Sequence, residues 1–147
     1  MRVNGEWLPC EDGIIRPAVQ GAVQLPVGEW LEVYFLLDGG ANRTVFSERL
    51  LRRLQPLATV DAEPLHLSGV GGAVGSITVE TVIGFVKDDG RMVTVRGIFS
   101  VFTEGESAEL SVLGRDVTNN FSVIYDYPNR TVALLARPHY YEIKSVS

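Results

Sequence analysis

Alternation with a period of two runs through most of the chain. In "GSITVETVIGFV", residues 75–86, Ile77, Val79, Thr81, Ile83 and Phe85 fall on one face, with Ser76, Thr78 and Glu80 on the other. That spacing predicts a half-buried strand. "MVTVRGIFSVF" repeats it with Val93, Val95, Phe99 and Val101, and "KDDG" between the two supplies the turn of an antiparallel hairpin. "FSVIYDYPNRTVALL" predicts another hairpin, its turn at residues 126–130 carrying Pro128 and Asn129 between Val123 and Val132. Upstream, "IIRPAVQGAV" and "WLEVYFLLD" read as two more strands joined by "QLPVGE". Pro17 marks the first of these as an edge strand or as the beginning of a strand.

A single stretch has helical character. Ser47 can cap it, Glu48 sits in its first turn, Leu50, Leu51 and Leu54 give a 3.6-period apolar face, and Pro56 closes it. Arg49, Arg52 and Arg53 of "RLLRR" then fall late in the helix, where they complement its dipole. The expected class is mainly β: many short strands separated by Gly and Pro turns form a closed barrel or a sandwich. No repeat, linker or low-complexity segment interrupts the pattern, so residues 1–147 read as one domain. The tail "RPHYYEIKSVS" either docks through its tyrosines or frays.

Composition narrows the function classes. The chain is 46% hydrophobic and 21% charged, and no run approaches the about 18 apolar residues of a membrane span, which predicts a soluble protein. "MRVNGEWLPCEDG" has no basic segment leading into an apolar core, so a cytoplasmic setting is expected. One cysteine, Cys10, excludes an intrachain disulfide and reads as a structural thiol. Thirteen Lys and Arg against eighteen Asp and Glu give a net charge of −5 without a basic stripe, which argues against nucleic acid and anionic membranes as partners. His66 and His139 lie near no nucleophile elbow, and no His/Cys/Asp/Glu cluster has ligand spacing, so neither serine-type catalysis nor a metal is expected. The matches to Asn-x-Ser/Thr at Asn42, Asn120 and Asn129 carry no weight without a secretory signal.

Three stretches could carry chemistry. In "FLLDGGANRTVF" an apolar run ends in Asp38 and two glycines. Asp-Gly is a strong hairpin signal, so one reading is a plain turn between two strands. In the other, Gly39 and Gly40 let backbone amides hydrogen-bond a catalytic carboxylate. "LSGVGGAVGSITVE" places four glycines before a strand. A phosphate loop would need a helix and a Gly-Lys-Ser/Thr there, so the stretch reads as a mobile flap or a flexible turn. In "SVLGRDVTNNFSVIYD" apolar residues lead into Gly114, Arg115 and Asp116, a strand and a tight turn. The other aspartates, Asp12, Asp61, Asp88, Asp89 and Asp126, sit in turns and polar connections.

In this order and spacing, "LLDGGA", "GVGG" and "VLGRD" resemble the retroviral-type aspartic proteases, including cellular and bacterial retropepsin-like proteins, over roughly residues 15–135. In that family the first stretch is Asp-Thr-Gly or Asp-Ser-Gly followed by Ala. The resemblance implies a closed β-barrel with one lobe per chain, one short helix and a glycine-rich flap hairpin. It implies Asp38 as the catalytic carboxylate, with Gly39, Gly40, Ala41 and Asn42 as its loop. Gly69, Val70, Gly71 and Gly72 become the substrate-binding flap. Arg115, with Asp116, becomes the brace of the active-site loop, acting through Asn42 where the family often has an acid.

The implied activity is hydrolysis of peptide bonds by water activated between two carboxylates that share one proton. One such aspartate per chain requires a C2 homodimer. The substrate is a peptide in extended conformation, and no cofactor is implied. Whether the termini complete the dimer sheet, as in viral members, stays open. Gly39 departs from the pattern, because the family's hydroxyl there reaches the partner's loop. Losing that bond twice, together with added glycine freedom, costs on the order of 2 to 5 kcal/mol, or about 1.5 to 3.5 decades in dimer affinity. The alternative is therefore a catalytically weak or inactive retropepsin-like module that binds peptides or serves in dimerisation.

Overall fold

The computed structural model describes residues 1–59, 65–69, 72–105, 110–138, 140 and 142–145, with residues 65–69 and 72–74 described by their backbone alone. In chain order the strands are β1 (Arg2–Asn4), β2 (Glu6–Pro9), β3 (Ile15–Gln24), β4 (Trp30–Leu37) and β5 (Val45–Phe46), then β6 (Leu65–Gly69), β7 (Gly72–Val86), β8 (Met92–Phe102), β9 (Ser111–Leu113), β10 (Ser122–Asp126) and β11 (Thr131–Leu135). Two short helices, α1 (Leu51–Leu54) and α2 (Arg115–Thr118), complete the set. The architecture is mainly β, as the alternation predicts.

The larger sheet runs β2-β3-β4-β9-β5-β8-β7-β6, and a further pairing of β3 with β7 joins its two halves. Through Ala22↔Gly84 and Val23↔Ile83 the strands β3, β4, β9, β5, β8 and β7 close into a ring. Inside it the inward positions of β4, Val33, Phe35 and Leu37, meet Phe46, Phe85 and Phe99. Phe35 lies 5.9 Å from Phe46 and 6.2 Å from Phe85, and Phe46 meets Phe99 edge-on at 6.0 Å between ring centroids. Tilted and edge-on rings at this separation add to the gain from burying their area.

Three readings of the pattern change in the folded chain. β7 is buried on both faces over much of its length: Ser76, Thr78 and Val82 are buried as well as Val79, Thr81, Ile83 and Phe85. The reason is a second layer: Thr59 covers Thr78, their hydroxyls 2.7 Å apart, while Thr81 Oγ1 donates to Gln24 O at 2.7 Å. Pro17 is not on an edge strand, because β3 lies between β2 and β4. It pairs with Trp7, and pairing with β4 begins only at Ala18, so its missing N–H takes nothing from that ladder. Around α1, residues 48–50 and 55–57 form 3₁₀ turns, and Pro56 sits inside the second instead of beyond the helix. Ser47 caps the first turn by accepting from Arg49 N–H.

The alternation does not reveal β1 and β2, whose runs are too short. Trp7 anchors them by donating from Nε1 to Thr131 O at 3.1 Å, and β1 pairs with β11 in the smaller sheet β1-β11-β10. The outer edge of β1 is covered in turn: Asp88 accepts from Arg2 N–H and donates its own N–H to Arg2 O. In the tail, Tyr140 is 93% exposed, so it docks nowhere in the chain; Tyr141 and His139 lie outside the described residues. Among the described residues, no helix is long and apolar enough to cross a membrane.

The element that positions everything after β4 is Thr44, which is 0% exposed. Its N–H donates to both carboxylate oxygens of Asp116 at 3.0 Å, and its hydroxyl donates to Asp116 Oδ1 at 2.7 Å. The same hydroxyl accepts from Gly114 N–H at 3.0 Å, while Thr44 O accepts from Ser100 N–H at 3.1 Å. Gly114 must be glycine for this crossing, since a Cβ there would stand 2.4 Å from the carbonyl carbon of Arg43. Two outcomes are expected in urea denaturation. Asp116→Ala leaves the buried donors of Thr44 without an acceptor and lowers stability by about 1–3 kcal/mol, whereas Asp116→Asn, which keeps one acceptor oxygen, loses less. Gly114→Ala lowers the midpoint further still, because the atoms it meets are backbone and cannot step aside.

Candidate active site

The site begins where a parallel ladder stops. β4 and β9 pair in parallel with Leu37 opposite Leu113, and Asp38 N–H continues the ladder by donating to Leu113 O at 3.2 Å. The chain then turns: Ala41 N–H donates to Asp38 O at 3.1 Å across Gly39 and Gly40. Gly40 N–H donates to Asp38 Oδ1 at 2.9 Å, which fixes the carboxylate relative to the loop. Asp38 is exposed and has no ion-pair partner among the described residues.

These facts overturn the hairpin reading of Asp38-Gly39. β4 and β5 are not neighbours, because β9 lies between them, and neither glycine adopts the left-handed conformation that a tight Asp-Gly hairpin demands. The two glycines differ in what requires them. A Cβ on Gly40 would lie 3.3 Å from Asp38 Oδ1 and crowd the carboxylate, whereas a Cβ on Gly39 meets nothing within 4 Å. Nothing among the described residues obliges position 39 to be glycine.

A second loop, at the start of α2, closes against the first. Arg115 N–H donates to Ala41 O at 2.9 Å and Asp116 N–H to Asn42 O at 3.2 Å, and the Arg115 guanidinium donates to Asn42 Oδ1. Below them lies the Thr44–Asp116–Gly114 cluster. The structure therefore brings Asp38, Gly39, Gly40, Ala41, Asn42, Arg115 and Asp116 into one assembly of two interlocked loops. The glycine-rich hairpin is the pairing of β6 with β7, in which Gly69 faces Gly72 as the last pair; Val70 and Gly71 lie outside the described residues.

Two residues belong with this site that the motif reading passes over. Thr44 is one: three residues downstream of Ala41 it looks like the first polar step into a strand, and only the fold gives its hydroxyl two partners. Tyr125 on β10 is the other. Burial pushes its phenol above the usual tyrosine range, and the Asp38 carboxylate adds to the shift, which places the two in one electrostatic neighbourhood. Tyr125 lies 6.4 Å from Trp7, which also meets Tyr127 edge-on at 5.0 Å, and the Arg130 guanidinium covers Tyr127 at 4.2 Å. Alternation in "VIYDY" could have flagged these rings as one face of a strand.

Chemically, the assembly offers one solvent-facing carboxylate held by a backbone amide, and among the described residues no second carboxylate is paired with it. Among the described residues no group of three His, Cys, Asp or Glu side chains could hold a metal ion.

No family model matches the sequence, and no curated protein does. Solved structures do. The crystal structure of a retropepsin-like aspartic protease from Rickettsia conorii superposes with a TM-score of 0.52 at 14% identity, covering 91% of this chain and 88% of that one. The retroviral protease-like domain of Ddi1 from Leishmania major gives 0.48 at 18% identity, covering 81% and 94%. EIAV protease, complexed with the inhibitor HBY-793, gives 0.44 at 24% identity, covering 71% and 86%. Likeness at this level of identity is a likeness of fold, and the mainly β chain described above has the retropepsin-like fold.

Proposed function

We propose that this chain is one half of an aspartic endopeptidase, and that two copies meet so that the Asp38 carboxylates face each other across a two-fold axis. The observation that carries this reading is the Asp38 carboxylate itself, exposed at the end of the β4–β9 ladder and oriented by Gly40 N–H at 2.9 Å. Two like charges about 3 Å apart cannot both ionise, so the pair holds one proton. The ionised carboxylate takes a proton from water as the water oxygen attacks the scissile carbonyl, and the protonated one donates to the carbonyl oxygen. Collapse of the tetrahedral intermediate breaks the C–N bond and passes a proton to the leaving amine. Gly40 and Ala41 line the floor under the substrate, which binds as an added strand, residues 69–72 close over it, and Arg115 holds the loop through Asn42.

A second reading is favoured by one specific observation. Position 39 has the room and the backbone for a hydroxyl residue, yet holds glycine, so the bond that would lock two such loops in register is missing. In that reading the same groove binds an extended peptide or serves only to pair two copies, and the chemistry has been lost.

Both readings meet in one experiment: cleavage of a diverse peptide library between about pH 4 and 7, at protein concentrations that force dimerisation. A rate that rises faster than linearly with protein concentration and disappears in Asp38→Asn is the result expected of the endopeptidase. Silence in a sample that sedimentation proves dimeric rejects it in favour of the binding module. Gly39→Thr is expected to tighten the dimer by roughly 1.5 to 3.5 decades and to raise the rate at subsaturating protein concentration. An unchanged dimer constant, measured by sedimentation equilibrium, would show that the hydroxyl has no partner to reach.

A further inference from the structure

β8 carries an open edge away from the Asp38 loop. Over its whole length, Met92–Phe102, it pairs with β7 without a bulge, but on its other side β5 meets it only at Ser100 and Val101. Strand parity says which groups this leaves over. Ser100 sends its N–H to Thr44 O, on the β5 side. Backbone groups point alternately to the two sides of a strand in an antiparallel pair, so Thr94, Arg96 and Ile98 turn their N–H and C=O groups to that side too. None of the three has a hydrogen-bond partner for those groups among the described residues.

Thr94 and Arg96 border a groove of about 480 Å³ lined also by Lys87, Val93, Phe121 and Arg137, with no carboxylate among the described residues of its lining. Lys87 stands 3.8 Å from Asp89 at the rim, while Arg96 and Arg137 have no ion-pair partner among the described residues. Three cations around one groove stand out in a chain of net charge −5. Val93, Val95 and Phe121 supply the apolar part of its lining, while Ile98, 58% exposed, stands on the opposite face of β8 from the two valines.

We infer that the β8 edge is a docking site for an acidic peptide segment of another protein, which adds as a strand along residues 94–98. Its backbone pairs with the outward groups of Thr94, Arg96 and Ile98. Its carboxylates meet Arg96 and Arg137, and its alternate apolar side chains lie over Val93 and Phe121. Charge decides against a second copy of this chain as occupant, because pairing β8 with itself sets Arg96 near its own duplicate, the kind of charge that keeps exposed edges from self-association. The inference does not rest on peptidase activity.

The test follows backbone amides by NMR while the chain is titrated with a panel of nine-residue peptides alternating Glu or Asp with Val or Leu, and with Lys counterparts. The acidic peptides are expected to shift the amides of Thr94, Arg96 and Ile98 and to bind at least about tenfold more weakly to Arg96→Glu/Arg137→Glu, with a further loss at high salt. Thr94→Pro removes one outward donor and no bond to β7, so it is expected to weaken binding while the thermal midpoint holds. The inference is overturned if no acidic peptide binds, if Lys peptides bind equally, or if binding shifts Gly39 and Gly40 in place of the β8 amides. An unchanged affinity in the double variant, or self-association through this edge, overturns it as well.

Discussion

Every polar group of Thr44 is used, and none of them reaches water. This constraint sets the geometry of the two loops above it. A hydroxyl buried without partners would cost more than the net gain of an ordinary hydrogen bond, so Asp116 and Gly114 must remain where Thr44 requires them. With β9 held between β4 and β5, the ends of β4 and β9 fall side by side, and Asp38 and Arg115 leave the sheet at the same place. The geometry of the Asp38 loop is thus set from below by a fully buried side chain.

The loop itself is held almost entirely by backbone. Ala41 O, Asn42 O and Asp38 O each accept a main-chain N–H, and the carboxylate of Asp38 takes another from Gly40. Such a loop depends little on side-chain identity, which explains how position 39 can be glycine without disturbing the fold. What glycine withholds is a side chain whose Cβ would meet nothing within 4 Å among the described residues, so the carboxylate keeps its orientation without it.

Much of this was legible in the residues. The hairpins of β7 with β8 and of β10 with β11 are written in alternation and turn chemistry, and Ser47 marks its helix start correctly. Burial on both faces of β7 is not legible, since Thr78 reads as solvent-facing until Thr59 covers it. β1 and β2 were hidden because three or four residues cannot display a period; what holds them is Trp7 and the far strand β11, more than 120 residues away in the chain. Pro17 marks an edge strand or a strand's beginning; it lies near the beginning of β3, and the alternation cannot reveal β2, the strand that takes the edge.

The site divides in the same way. By itself the sequence determined that an aspartate follows an apolar run, that two glycines free the backbone beyond it, and that a Gly-Arg-Asp step lies downstream; these are local facts of side-chain type and spacing. Tertiary structure alone decided that Asp38-Gly39 is no hairpin, because whether two strands become neighbours depends on what else can be inserted between them. It also decided that Thr44 is the pivot and that Tyr125 shares the field of Asp38, since hydrogen bonding and Coulomb interaction act between groups that the chain brings together from far apart.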